Sequence, residues 1–268
     1  LKLKFSITVS FNQNQSIMHP RKLLMILFVA CAAVAQAQTV DEILAKYFEN
    51  TGGLAKWKAL QNVKMTAKGK QGQMEIPLTI LQLKDGRQLT AFTLQGKDIK
   101  QGVYDGHTLW SHNFANMKAE KSDAEATDNF VQDVGEFPDP FLNYKERGLK
   151  AELLGKEKVD GTETFKIKLT KKPIKVDGKP TDNIVFYYFD AENYVPLMTE
   201  SEVKGGPNKG MIAQSKMSDY QEVDGLMFPF SMTQGAKGQP GGFEIAVSKI
   251  ELNVKVDDKE FAFPEDKK

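Results

Sequence analysis

The chain has 268 residues, 41% hydrophobic and 26% charged, and its 36 basic residues nearly balance 35 acidic ones for a formal net charge of +1. That balance argues against the strong basic patch of a nucleic-acid-binding protein, so no nucleic-acid partner is expected. A single cysteine excludes a disulfide framework, and three histidines leave little material for a His-rich metal site or a Ser-His-Asp triad.

In chain order, the first feature is an export signal in "MHPRKLLMILFVACAAVAQAQ". Arg21 and Lys22 form its basic region, Leu23 to Val34 its apolar run, and Ala35-Gln36-Ala37 its small-x-small site. Residues 18–37 therefore read as a signal cleaved after Ala37, and 1–17 as upstream translation outside the fold. The apolar run is shorter than the roughly 20 residues that span a bilayer. The alternative is a lipid anchor on Cys31, although Phe28 stands where a lipobox favours leucine. Removing 1–37 takes away Lys2, Lys4, Arg21 and Lys22, which leaves 32 basic against 35 acidic residues. Residues 38–268 are expected to form one domain in the periplasm.

The domain opens with two short helices. Thr39 and Glu42 form a capping box ahead of Ile43, Leu44, Tyr47 and Phe48, and "NTGG" stops that helix. Gly53 to Leu60 forms the second. From Val63 the period becomes two, as in "VKMTAKGK" and "QMEIPLTI", where Pro77 predicts an edge or a bulge. "LKDGRQL" and "VYDGHTL" place Asp-Gly between apolar runs, a hairpin signal. Ser122 with Glu125 predicts a capping box for a helix carrying Phe130, Val131 and Val134, with Gly135 as its stop. Asp139-Pro140 predicts another helix, closed by Gly148. Strands then return. "NIVFYYFD" is apolar on both faces, which predicts a strand covered on both sides. About ten antiparallel strands with no βαβ alternation predict a mainly β (α+β) fold, a single curved antiparallel sheet packed over a few helices.

Candidate chemistry is sparse. His107 and His112 lie five apart, hence on opposite faces of a strand, and are expected to be structural rather than metal ligands. Neither a metal nor a cofactor is expected. Glu200 and Glu202 share a face but alternate with Thr199, Ser201 and Val203, as a solvated strand face does. Eight methionines remain after the signal, among them Met65, Met74, Met198, Met211, Met217, Met227 and Met232. They suit a core or a lining for variable apolar ligands.

The order of these motifs resembles a known family. "LQLKDGRQLTAFTLQGKDIKQGVYDGHTLWSHNFANMKAEKS", with Asp105, Gly106 and Trp110 as a "DG-x-x-x-W" hairpin, resembles the first sheet half of the LolA/LolB-like lipoprotein carriers. "DYQEVDGLMFPFSM", with Asp224, Gly225 and Pro229, and the closing "FAFP" resemble longer outer-membrane lipoprotein-sorting relatives. The resemblance implies an incomplete antiparallel β-barrel with a helical lid and an apolar interior for acyl chains. In such carriers an early-strand arginine helps to hold the lid; the matching position here is Lys84, which lacks the planar guanidinium fork.

The expected function is a non-enzymatic carrier or sensor for a lipid or lipidated protein, served by a membrane-associated delivery or acceptor protein. Phe92, Trp110, Phe114, Phe186, Tyr188 and Phe228 are the expected ligand-binding residues. Two alternatives stay open: a hydrolase using Glu200 or Asp219, and a structural envelope module with a filled interior.

Overall fold

The computed structural model describes residues 38–264, so the signal, its cleavage after Ala37 and the Cys31 alternative lie outside the described residues. Two helices come first, α1 (Val40–Asn50) and α2 (Leu54–Ala59). The predicted capping box is present: Thr39 Oγ1 accepts from the Glu42 N–H at 3.2 Å, and Glu42 Oε2 accepts from the Thr39 N–H at 2.8 Å. Ile43, Leu44, Tyr47 and Phe48 are the buried residues of α1. They fall at i, i+1, i+4 and i+5, a single stripe facing the sheet.

Six strands follow: β1 (Asn62–Gln71), β2 (Met74–Leu83), β3 (Gln88–Leu94), β4 (Lys97–Tyr104), β5 (Leu109–His112) and β6 (Ala119–Lys121). Both Asp-Gly pairs lie in tight connections, between β2 and β3 and between β4 and β5. Pro77 lies just past the last β2–β3 pair, Leu78 with Phe92, where β2 has no donor to supply to β3. The chain then forms α3 (Ala124–Asp133), a 3-10 turn (Val134–Glu136) and the second run of strands. That run comprises β7 (Lys150–Val159), β8 (Thr162–Thr170), β9 (Ile174–Val176), β10 (Lys179–Thr181), β11 (Ile184–Asp190), β12 (Pro196–Glu202), β13 (Ile212–Val223), β14 (Leu226–Ala236) and β15 (Phe243–Leu252).

Three expectations are corrected here. Strands number fifteen among the described residues rather than about ten, because several apolar runs split at turns. The N-cap of α3 is Asp123, not Ser122: Asp123 Oδ1 accepts from the Ala126 N–H at 2.7 Å. Glu125 leaves the capping box because its carboxylate instead accepts from the Asp177 and Gly178 N–H groups in the β9–β10 turn, at 3.0 and 2.7 Å. Finally, the helix expected over 139–148 is a series of turns. Burial of Phe141, Tyr144 and Leu149 sets the path there instead.

Thirteen strands form one antiparallel sheet in the order β6-β5-β4-β3-β2-β1-β15-β14-β13-β12-β11-β8-β7, while β9 and β10 pair separately. The sheet is curved and does not close into a barrel. Its two edge strands, β6 and β7, are consecutive in the chain. The connection between them, residues 122–149, therefore has to travel from one edge of the sheet to the other.

Packing divides the two faces. On the inner face, α1, α2 and the 141–149 turns cover Val63, Leu78, Ile167, Phe189, Phe228 and Ile250 in one buried cluster. On the outer face, the C-terminal segment covers a second cluster of Leu81, Leu83, Leu89, Val103, Trp110 and Phe261. β11 shows the alternation most plainly. Phe189 lies in the inner cluster, whereas Tyr188 joins Val159 and Met198 on the outer face, so the strand is covered on both sides as its sequence predicts.

Candidate functional site

The six expected binding residues do not share one face. Phe228 packs on Trp57 of α2 with ring centroids 5.3 Å apart, inside the helix-covered core. Phe92 packs against that core and stacks at 6.2 Å on Phe114, which is 57% exposed at the end of β5. Trp110 lies on the outer face, where its Nε1–H donates to the Phe261 carbonyl at 2.9 Å and its ring meets Phe263 edge-on. Phe186 and Tyr188 are also on the outer face. A period of two fixes which residues of one strand lie together, but not which face is inner, and that choice inverts the whole set.

The inner face carries a second pattern that alternation alone did not single out. On the paired strands β2 and β3, Gln82 faces Gln88, Ile80 faces Thr90 and Leu78 faces Phe92. These pairs share one face and form a track of decreasing polarity. At its polar end lies a cavity of about 300 Å³, lined by Gln82, Gln88, Phe130, Glu136, Phe137 and Pro138 among others. At its apolar end, Ile76, Phe92, Phe230, Met232 and Phe243 are only partly buried, whereas Leu226 and Phe228 nearer the helices are buried. Burial along β14 thus falls from Leu226 towards Met232, away from α1 and α2.

Residues 122–149 form a lid over the polar end of this track and touch both halves of the sheet. On the first half, Phe130 packs on Tyr104 with centroids 5.0 Å apart. Val134 sits so close to Gly86 that a Cβ there would lie 2.1 Å from its Cγ1. On the second half, Asp133 and Glu136 pair with Lys171 at 2.8 and 3.0 Å. Against α1, Tyr47 Oη–H donates to Asp139 at 2.8 Å, and Tyr144 and Lys145 donate to Asp41 at 3.0 and 2.7 Å. Helix α3 itself contributes no buried residue. Lys84, the position that the resemblance matched to the lid arginine, donates instead to the Lys58 carbonyl of α2 at 2.9 Å.

Charged groups at the lid are perturbed by burial. Burial pushes the Asp139 carboxyl up to about 6, with the bonds from Tyr47 and the Phe141 N–H opposing it. Burial also raises Glu136, against the pull of Lys171.

The alternative acid candidates lie elsewhere. Glu200 is buried at 6% exposure rather than solvated, because its partners follow it inward: Tyr188 Oη, Gln214 Nε2 and Lys237 Nζ all donate to its carboxylate within 2.9 Å. Burial raises this carboxyl, but those three bonds outweigh it and hold it below the usual range. Glu202, its neighbour on the same face, is exposed and pairs with Lys204. Asp219 is exposed at an irregular position of β13 with φ of 53°. Glu200 and Asp219 are not drawn together with a third group into a catalytic arrangement. His107 lies in the β4–β5 turn, and His112 Nδ1 lies 3.0 Å from the Lys100 N–H while its ring meets Trp110 edge-on. No group of three or more metal-ligating side chains occurs among the described residues.

No protein-family model matches the chain, and no curated protein matches it. Solved structures do. A domain designated an outer membrane lipoprotein-sorting protein, from Vibrio parahaemolyticus, superposes with a TM-score of 0.51 at 13% identity, over 82% of this chain and 94% of that one. A LolA superfamily protein from Nitrosomonas europaea gives 0.49 at 16% identity, over 84% and 98%. A DUF1329 family protein from Desulfovibrio piger gives 0.44 at 14%, over 82% and 97%. At such identities the likeness is one of fold, which the chain shares with the Vibrio parahaemolyticus domain.

Proposed function

We propose that the chain is an exported, non-enzymatic carrier or sensor that holds the acyl part of a lipid or lipidated protein along the inner face of β2 and β3. One observation carries this reading. The track from Gln82 and Gln88 to Phe92 is polar at a cavity, apolar at a partly buried rim, and covered at its polar end by a lid that buries none of its own helix. An acyl ligand has the same polarity profile. The similarity of fold to a lipoprotein-sorting domain supports the reading, as does the signal-like segment, which points to the periplasm, or to a membrane if Cys31 carries a lipid. No helix among the described residues is long and apolar enough to cross a membrane. Delivery would then fall to a membrane-associated partner.

A second reading, a structural envelope module, is favoured by the filled cluster beneath α1 and α2. Binding separates the two. A fluorescent fatty-acid methyl ester should bind saturably, and unlabelled esters should displace it more strongly as they lengthen, by up to about fourfold per methylene buried. Phe92→Asp should weaken the probe far more than it lowers the unfolding midpoint. A protein that ignores every ester probe while Phe92→Asp unfolds it is a filled module.

A further inference from the structure

We infer that the cavity beneath the lid accepts an uncharged head group, a hydroxyl or an ester, and rejects a phosphate. The inference rests on the carrier reading and adds the class of ligand that the polar end of the track admits.

The first ground is the charge around the cavity. Asp133 and Glu136 line it directly, and Asp139 sits between the lining residues Pro138 and Pro140. Each cation within reach already has at least one partner. Lys171 is held between Asp133 and Glu136 with its side chain only 9% exposed. Arg147 donates to the Gln132 carbonyl at 3.1 Å and lies 3.7 Å from Glu136, and its Nη1, which has no hydrogen-bond partner, is buried away from solvent. Arg87, which also lines the cavity, is bound by Asp85 and Asp258 at 2.8 and 2.6 Å. Lys84 in the same turn is bonded to the Lys58 carbonyl. Around Arg87, Arg147 and Lys171 stand Asp85, Asp133, Glu136, Asp139 and Asp258, so carboxylates outnumber these cations.

A phosphate brought here would add negative charge where carboxylates already outnumber the cations, in a site that burial already makes unfavourable to anions. The raised Glu136 and Asp139 carboxyls report that same environment from within the protein. An incoming anion would have to break an existing ion pair or remain uncompensated, and either is costly.

The second ground is what the cavity does offer. Gln82 and Gln88 are paired across β2 and β3, and both line it. Gln88 donates one long bond of 3.3 Å to the Gly102 carbonyl, which leaves its carbonyl oxygen to accept. Two amides supply donors and acceptors together, which suits a hydroxyl or an ester and gives no net charge to a phosphate. The apolar residues of the same wall, Phe130, Phe137, Pro138 and Pro140, fit the first carbons below such a head group.

The test compares two ligands that differ only by a phosphate, 1-oleoylglycerol and 1-oleoyl lysophosphatidic acid, as competitors of the methyl-ester probe on the purified protein at pH 7.5. The glyceride should displace the probe, with the lysophosphatidate at least about tenfold weaker, a gap of one decade in affinity. Asp133→Asn, at a side chain that is 42% exposed, removes one wall carboxylate and loosens the hold on Lys171. It should narrow the gap to about threefold or less, chiefly by tightening the lysophosphatidate. Glu136→Gln should act in the same direction and serves if the first variant folds poorly. Equal or tighter binding of the lysophosphatidate overturns the inference and leaves the carrier reading standing. If the probe binds but neither lipid displaces it, the inference fails while the carrier reading stands; if the probe itself never binds, the carrier reading fails and the inference goes with it.

Discussion

The phenol of Tyr47 on α1 donates to the partly buried carboxylate of Asp139 at 2.8 Å and so joins the first helix to the lid 92 residues later in the chain. The Phe141 N–H donates to the other carboxylate oxygen at 2.8 Å, and the ring of Phe141 rests edge-on against Tyr187 and Phe189. This one contact aligns α1, the lid and β11.

Because burial raises Asp139 to about 6 from a usual 3.8, the folded state binds its proton more tightly than the unfolded state does. Between those values the folded protein holds more protons, so this group's contribution to stability is greatest at low pH and falls as pH rises through about 6. The full difference is about 3 kcal/mol. Asp139→Asn keeps an oxygen for Tyr47 but no charge. Relative to the wild type it should gain more stability at pH 7.5 than at pH 4.5, as read from urea unfolding at both. The same gain at the two values would mean that Asp139 titrates normally.

Gly86 fixes where the lid sits. Its φ of +93° lies in the region that favours glycine, and an added Cβ would lie 2.1 Å from Val134 Cγ1. Gly86→Ala should cost about 1–3 kcal/mol, partly as backbone strain and partly as a displaced lid. Limited proteolysis within residues 122–149 should speed up in this variant, and Val134→Ala should restore part of the protection. Unchanged cleavage with a lowered midpoint would assign the whole effect to the turn.

Much of the fold can be read from local signals. The Thr39–Glu42 capping box, the two Asp-Gly turns and the double-sided β11 are each decided within a few residues, and each is found where the sequence places it. The pairing of β1 with β15 is different, because Val63 meets Leu252 through contacts that no local pattern encodes. The path of 122–149 is different again: it follows from the identity of the two sheet edges, which is known only once every pairing is known. The candidate site suffers most from this. Alternation puts Phe186 and Tyr188 on one face of β11 but assigns that face no inner or outer side, and the facing of Leu78 with Phe92 needs the pairing of β2 with β3. The outer cover over Trp110 comes from "FAFP", which the sequence offered as a motif and not as a partner.

Trp110 and Phe92 therefore make opposite predictions. Trp110 is 1% exposed, donates to the Phe261 carbonyl and is packed by Val103, Leu89 and Phe263 on the outer face. The C-terminal segment is held there by Arg87 with Asp258 at 2.6 Å and by Lys100 with the Glu260 carbonyl at 2.6 Å. Trp110→Ala should remove that packing and leave the Phe261 carbonyl unpaired, at a cost of about 3–5 kcal/mol in unfolding free energy. Below the unfolding transition, the affinity for the methyl-ester probe should change by less than about twofold, or 0.4 kcal/mol. Phe92→Asp places a charge on the partly buried inner rim and should act the other way, with a large loss of probe binding and a smaller loss of stability. A Trp110→Ala variant that folds normally but no longer binds the probe would put the ligand on the outer face, beneath the C-terminal segment, and the inner track would lose its role.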